Sequence, residues 1–171
     1  MFRKVHGEGA KVPFPGPEHG YRATHMDTSQ DLLSRLEIFT AMNSDKCGNG
    51  AVFNAADGPV ITWADIWPKL CGYWGLEDGG PGMKDALPIQ EFIKQNRSAW
   101  FELCREHGLK ESTIDEQGWG HLDFMMVSFD FSREFDLSNS RQVGFTESID
   151  TAEGYYISWD RMRQAKIVPP Q

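Results

Sequence analysis

The chain has 171 residues and a net charge of −8, with 40 % apolar and 25 % charged residues. That is the balance of a single globular domain able to bury a core. The acidic excess argues against nucleic acid or an anionic membrane as partner, and no run approaches the ~18 apolar residues of a membrane span.

The N-terminal stretch MFRKVHGEGAKVPFPG has no apolar segment of the secretory kind. Cys47, Cys71 and Cys104 are odd in number and widely spaced, which suits a reducing compartment and small buried side chains. A cytoplasmic location and no zinc site are expected, because no paired Cys or His stands at ligand spacing.

In chain order, VPFPG (12–16) is extended by its prolines. A loop, PEHGYRATHMD, leads to a helix with Thr28 as N-cap and Asp31 in its first turn. Leu32, Leu33, Leu36 and Phe39 mark its buried face, and it ends near Ser44. AVFNAA then reads as a strand too apolar for an exposed edge. After the Asp57-Gly58-Pro59 turn, Thr62 and Asp65 form a capping pair for a helix bearing Trp63, Ile66, Trp67, Leu70 and Trp74. Pro68 should kink that helix or split off its first turn.

EDGGPGMKD (77–85) has the composition of a loop. Pro88 opens a helix with Phe92, Ile93, Trp100 and Leu103 on its apolar side, ended by Gly108. Residues 116–130 are helical but apolar on more than one face. Phe135–Leu137 is a short strand candidate, Ser138 starts a brief helix stopped by Gly144, and Asp150 with Glu153 caps a last helix carrying Tyr155, Tyr156 and Trp159. Two or three strands of this length cannot cover so many helical stripes.

Candidate chemistry is sparse. His25-Met26-Asp27 and His121-Leu122-Asp123 could serve a metal or a proton transfer, or simply cap and pack. Gly48-Asn49-Gly50 precedes a strand instead of joining one to a helix, so it is not a dinucleotide loop. Tyr21, Tyr73, Tyr155 and Tyr156 are followed four residues later by His25, Glu77, Trp159 and Asp160, so the Tyr-x-x-x-Lys pair of short-chain hydride transfer is not formed. Tyr155, Tyr156 and Trp159 crowd one turn, either as helix packing or as the wall of a substrate pocket.

Five segments in order, VPFPG, DTSQDLLSRLEIFTAM, VFNAADGPVITWADIWPKLCGYWGL, DLSNSRQVGF and YYISWDRMRQAKIVP, resemble the C-terminal, substrate-side part of atypical extended short-chain dehydrogenases. The likeness is to the progesterone 5-beta-reductase and iridoid synthase group and its fungal relatives. It implies an incomplete, helix-rich α/β lobe over residues 1–171, with the NADPH-binding Rossmann domain and its catalytic tyrosine and lysine absent. Substrate positions of that family fall on Tyr155, Tyr156 and Trp159, and Trp63 and Trp67 match structural positions. The expected partner is a small apolar carbonyl compound reduced with NADPH in the intact family.

Three functions follow as expectations. The first is a truncated or degenerate reductase lobe without hydride chemistry of its own. The second is a cofactor-independent isomerase, cyclase or binding protein reusing the pocket. The third is a half that self-associates or docks on a separate Rossmann domain. On any of them, the tryptophan helix should dock on a small core and on the flank of a sheet that is not in the chain.

Overall fold

The computed structural model describes residues 1–48, 50–82 and 87–171. Helix α1 (Phe2–His6) leads to strand β1 (Lys11–Phe14), then α2 (Glu18–Arg22), α3 (Gln30–Met42), α4 (Ser44–Cys47) and α5 (Trp63–Tyr73). Strand β2 (Glu77–Pro81) is followed by α6 (Ile89–Gln95), α7 (Arg97–His107), a 3-10 turn (Glu111–Ile114) and α8 (Trp119–Asp123). A π-helical turn (Phe124–Ser128), α9 (Ser138–Gln142) and α10 (Thr151–Gln164) complete the chain. The two strands form one parallel pair, with Lys11 opposite Glu77, Val12 opposite Asp78 and an irregularity before Phe14 meets Pro81.

Helix α5 closes over this pair and also packs on α2 and α10. Its start is the reciprocal box expected from the sequence: Thr62 Oγ1 accepts from Asp65 N, and Asp65 Oδ2 accepts from Thr62 N at 2.9 Å. Pro68 lies within the helix, which runs unbroken past it. At the centre is Phe14, 0 % exposed, with the rings of Tyr21, Trp63 and Trp67 all 5.4–5.5 Å away. Trp67 Nε1 donates to Val12 O at 3.0 Å, so its one polar atom is satisfied where its ring is half-buried. Trp63 and Trp67 therefore dock on β1, whereas Trp74 lies 5.4 Å from the Trp159 ring of α10.

Smaller clusters form around Leu32, Leu36 and Phe145, and around Trp100, Cys104 and Ile114. All three cysteines are free and buried, as expected. Gly108 ends α7 in the left-handed region (φ 63°). Among the described residues, no helix is long and apolar enough to cross a membrane.

Several local expectations fail for identifiable reasons. Part of the expected loop at 17–27 is α2. Helix α3 is entered at Ser29 instead of Thr28, because Thr28 Oγ1 donates to Ala55 O at 2.7 Å. The helix opened by Pro88 is two, α6 and α7, separated at Asn96. Ala51–Ala56 is no strand: Val52 is 74 % exposed, and its carbonyl accepts from the Asn139 side chain instead of a neighbouring strand. Phe135–Leu137 is likewise not a strand.

Residues 77–81, expected as loop, form β2. Gly79 there serves close approach: a Cβ on it would sit 2.9 Å from Pro13 N and 3.1 Å from Pro13 Cα. Residues 83–85 of that expected loop lie outside the described residues. Gly79→Ala is expected to lower stability by roughly 1–3 kcal/mol by pushing β1 and β2 apart. The urea midpoint should fall with an unchanged slope; a midpoint equal to wild type would show that the strands do not need this contact.

Candidate functional site

The three aromatic residues singled out on α10 divide between two surroundings. Tyr156 lies over Tyr73 of α5, rings 4.8 Å apart and 17° from parallel, and its hydroxyl donates to Lys69 O at 2.9 Å. Trp159 contacts Tyr73 and Trp74 at 5.0 and 5.4 Å. These two make an aromatic seam between α5 and α10, covered at its end by the Arg163 guanidinium, 5.3 Å from the Tyr73 ring. Tyr155, turned by about 100° from Tyr156 around the helix and with its ring 5.7 Å from that of Trp159, donates its hydroxyl to Asp27 Oδ2 at 2.9 Å. Burial and the Asp27 charge push the Tyr155 phenol far above its ordinary pKa, so it stays a donor.

Tyr155 and Asp27 belong to the wall of an open cleft of about 270 Å³ between the N-termini of α3 and α10. At its base is Asp57, 1 % exposed. Asp57 Oδ1 accepts from Ser29 N at 2.6 Å, the entry to α3, while its backbone N–H donates to Asp27 O and its carbonyl accepts from Ile149 N. The residue thus pins three segments. Burial raises its carboxyl pKa, opposed by the bond from Ser29. Gly154 in the first turns of α10 makes room for this, since a Cβ there would stand 3.0 Å from Ser29 Cβ and 3.8 Å from Asp57 Oδ2. Arg161 clamps α10 to α3 by two bonds to Asp31, at 2.6 and 2.8 Å.

Of the His-x-Asp pairs, the second is structural: Asp123 accepts from Ile89 N and Gln90 N, capping α6 from α8. The first reaches the cleft through Asp27. His25 is 0 % exposed, lies against Trp63 at 4.9 Å, and its Nε2 stands 3.9 Å from Asp27 Oδ1, beyond hydrogen-bond range. Burial is the largest influence on it and lowers its pKa. Among the described residues no group of three His, Cys, Asp or Glu could hold a metal ion.

Sequence reasoning does not reach Asp57, Ser29 and Thr151 as site residues. The Asp-Gly pair signals only a turn, though an Asp so placed between apolar residues and two helix starts is the signal that could have found them.

The strand-to-helix turn after β1 does not fit a dinucleotide. The cofactor needs a glycine loop running from a strand into a helix N-terminus, open to the pyrophosphate. The strand-to-helix turn after β1 carries Gly16, where a Cβ would overlap Met126 O, so that turn is packed against protein.

A family model described as "PRISE-like Rossmann-fold domain" matches residues 1–169. The short chain dehydrogenase sirR of Leptosphaeria maculans is 32 % identical over 99 % of this chain and 44 % of its own length. An (S)-8-oxocitronellyl enol synthase of Nepeta cataria is 26 % identical over 95 % of the chain and 41 % of its own length. A 3-oxo-Delta(4,5)-steroid 5-beta-reductase of Arabidopsis thaliana is 26 % identical over 95 % and 41 %. The chain spans less than half the length of the curated relatives it matches. The family match corrects the expectation of a lobe standing wholly apart from the Rossmann fold, because the model covering residues 1–169 is itself that of a Rossmann-fold domain. Its visible counterpart here is the parallel pairing of β1 and β2 with α5 across both.

Two outcomes follow. Tyr155→Phe deletes the bond to Asp27 and should cost about 1–3 kcal/mol in chemical denaturation, with wild-type stability counting against the contact. For His25 the lowered pKa means that the unfolded chain binds the proton more readily. Its contribution to stability is therefore present above about pH 6.5 and lost as pH falls below it. Unfolding free energy should decline from pH 7 to 5, and His25→Phe, which keeps a ring on Trp63, should flatten the decline; equal slopes in both proteins would exclude His25 as the source.

Proposed function

Because the chain belongs to the PRISE-like Rossmann-fold family, we propose that it is a substrate-side lobe of a short-chain dehydrogenase-type reductase, binding a small carbonyl compound of the enone or enal class. Residues 1–171 act in this proposal as one substrate-binding unit. The observation that carries it is the division of labour on α10: an aromatic seam from Tyr156 and Trp159, and beside it Tyr155 with its hydroxyl at the cleft. Apolar rings supply contact area for a carbon skeleton, and a few convergent polar groups fix its orientation.

The relatives' names support the substrate class, one being a steroid 5-beta-reductase and another an oxocitronellyl enol synthase. Hydride transfer is not assigned to these residues. No tyrosine in the sequence is followed four residues later by lysine, and the strand-to-helix turn after β1 is closed to a pyrophosphate. The reduction would depend on a nucleotide-binding partner of Rossmann type that brings NADPH and the proton donor. The lobe's part is to seat the substrate and exclude water from it.

The test is binding without turnover. A 3-oxo-Δ4-steroid added to the purified chain should quench tryptophan fluorescence through Trp74 and Trp159. Trp159→Ala should weaken that binding about tenfold or more, since a large aromatic contact is worth at least ~1.4 kcal/mol. NADPH absorbance should stay constant with the steroid present. Unquenched fluorescence would refute the substrate class, and NADPH consumption by the chain alone would refute the division of roles.

A further inference from the structure

Residues 51–56 have a strand's composition and a strand's pattern, but no strand lies beside them. Val52 and Asn54 are exposed, while Phe53 and Ala55 are half-buried against the cluster of Leu32, Leu36 and Phe145. That is the alternation of a strand laid flat on a core. Among the described residues the backbone N–H groups of Val52, Phe53, Asn54 and Ala55 have no acceptor, and the carbonyls of Phe53 and Asn54 have no donor. The carbonyls on either side are stopped by side chains: Asn139 Nδ2 donates to Val52 O at 3.1 Å, and Thr28 Oγ1 to Ala55 O at 2.7 Å. Water can serve exposed groups, but a row of them beside a packed core is a ready template for another strand.

The two strands of the sheet are poorer templates. Pro13 gives β1 no N–H at that position, and Gly80 N of β2 is already held by Asp78 Oδ1 at 2.7 Å. Three features decide what the open segment pairs with. Val52, 74 % exposed, makes the segment apolar on its outer face too, as in a strand of a parallel sheet covered by helices on both sides. The net charge of −8 sets two copies of this chain against each other. The matching family model is a Rossmann-fold domain, a sheet of about six strands. The described residues supply two of them, in a chain spanning 44 % of its Leptosphaeria maculans relative.

Resting on the substrate-lobe reading above, we infer that residues 52–55 are a docking edge for the nucleotide-binding partner. An outer strand of the partner's parallel sheet pairs with this segment, and the helix layer over that sheet covers Val52. Main-chain bonds supply the attachment, and the alternate side chains set the fit.

The experiment is amide hydrogen exchange on two proteins: the intact chain, and a chimera in which this chain replaces the matched 44 % of the dehydrogenase sirR. The amides of residues 52–55 should exchange about a hundredfold more slowly in the chimera, while those of α5 stay protected in both. Val52→Glu should leave the urea midpoint of the intact chain near wild type, because that side chain is exposed, and should abolish the added protection in the chimera. If the chimera does not fold, the unmatched remainder of sirR mixed with the intact chain makes the same comparison.

Three results would overturn the docking edge: unchanged exchange at 52–55 in chimera or mixture, added protection untouched by Val52→Glu, or protection in the intact chain alone that grows with its concentration. The last would make a second copy the occupant. The steroid quench tests the underlying reading separately. Quench without added protection removes the docking edge alone. Added protection without quench upholds the edge and removes the enone class. Loss of both removes both.

Discussion

The lobe depends on how one helix closes a sheet that has two strands among the described residues. Two parallel strands bury almost nothing by themselves, and here they are held by α5 from one side. Trp67 satisfies its indole N–H on Val12 O, and Phe14 fills the space among Tyr21, Trp63 and Trp67. Because the backbone of β2 comes within contact of Pro13 at Gly79, the strands can sit close enough for a single helix to cover both. Three large rings around Phe14 remove on the order of 450–750 Å² from water, at ~25 cal/mol per Å² for the apolar part. That makes this small cluster the main source of cohesion in the N-terminal half.

The second joint is electrostatic. Asp57 lies where α3 and α10 begin, and its backbone and carboxylate tie both to the segment after residue 51. A carboxylate at two helix starts is favoured by the exposed N–H groups and the dipoles, which offsets part of the cost of burying it. The same placement gives the cleft its polarity. Cleft and fold are thus not separable: the residue that fixes the angle between the two helices is also part of the lining.

What the sequence made legible was local and chemically specific. Thr62 with Asp65, Asp150 with Glu153 and the glycine after α7 announce themselves because each motif satisfies its backbone groups within a few residues. The family likeness was likewise carried by ordered motifs. What stayed hidden depends on partners far along the chain. Gly79 in β2 looks like loop until Pro13 is seen against it. Thr28 looks like a cap until Ala55 takes its hydroxyl. The apolar AVFNAA run looks like a strand, yet propensity cannot supply a neighbour to pair with. The crowding of aromatics on α10 is plain in the sequence, but only the three-dimensional packing separates Tyr155, facing Asp27, from Tyr156 and Trp159, facing α5.

The cleft's position between two separately tethered helices has a thermodynamic corollary. Any molecule that enters it engages α3 and α10 at once, and only in the folded state, so occupancy and folding are linked by mass action. At a hundredfold excess over its dissociation constant, such a molecule would stabilise the chain by about 2.7 kcal/mol. The melting temperature of this lobe is therefore itself a detector: a library of small carbonyl compounds can be ranked by heat alone, without cofactor or turnover.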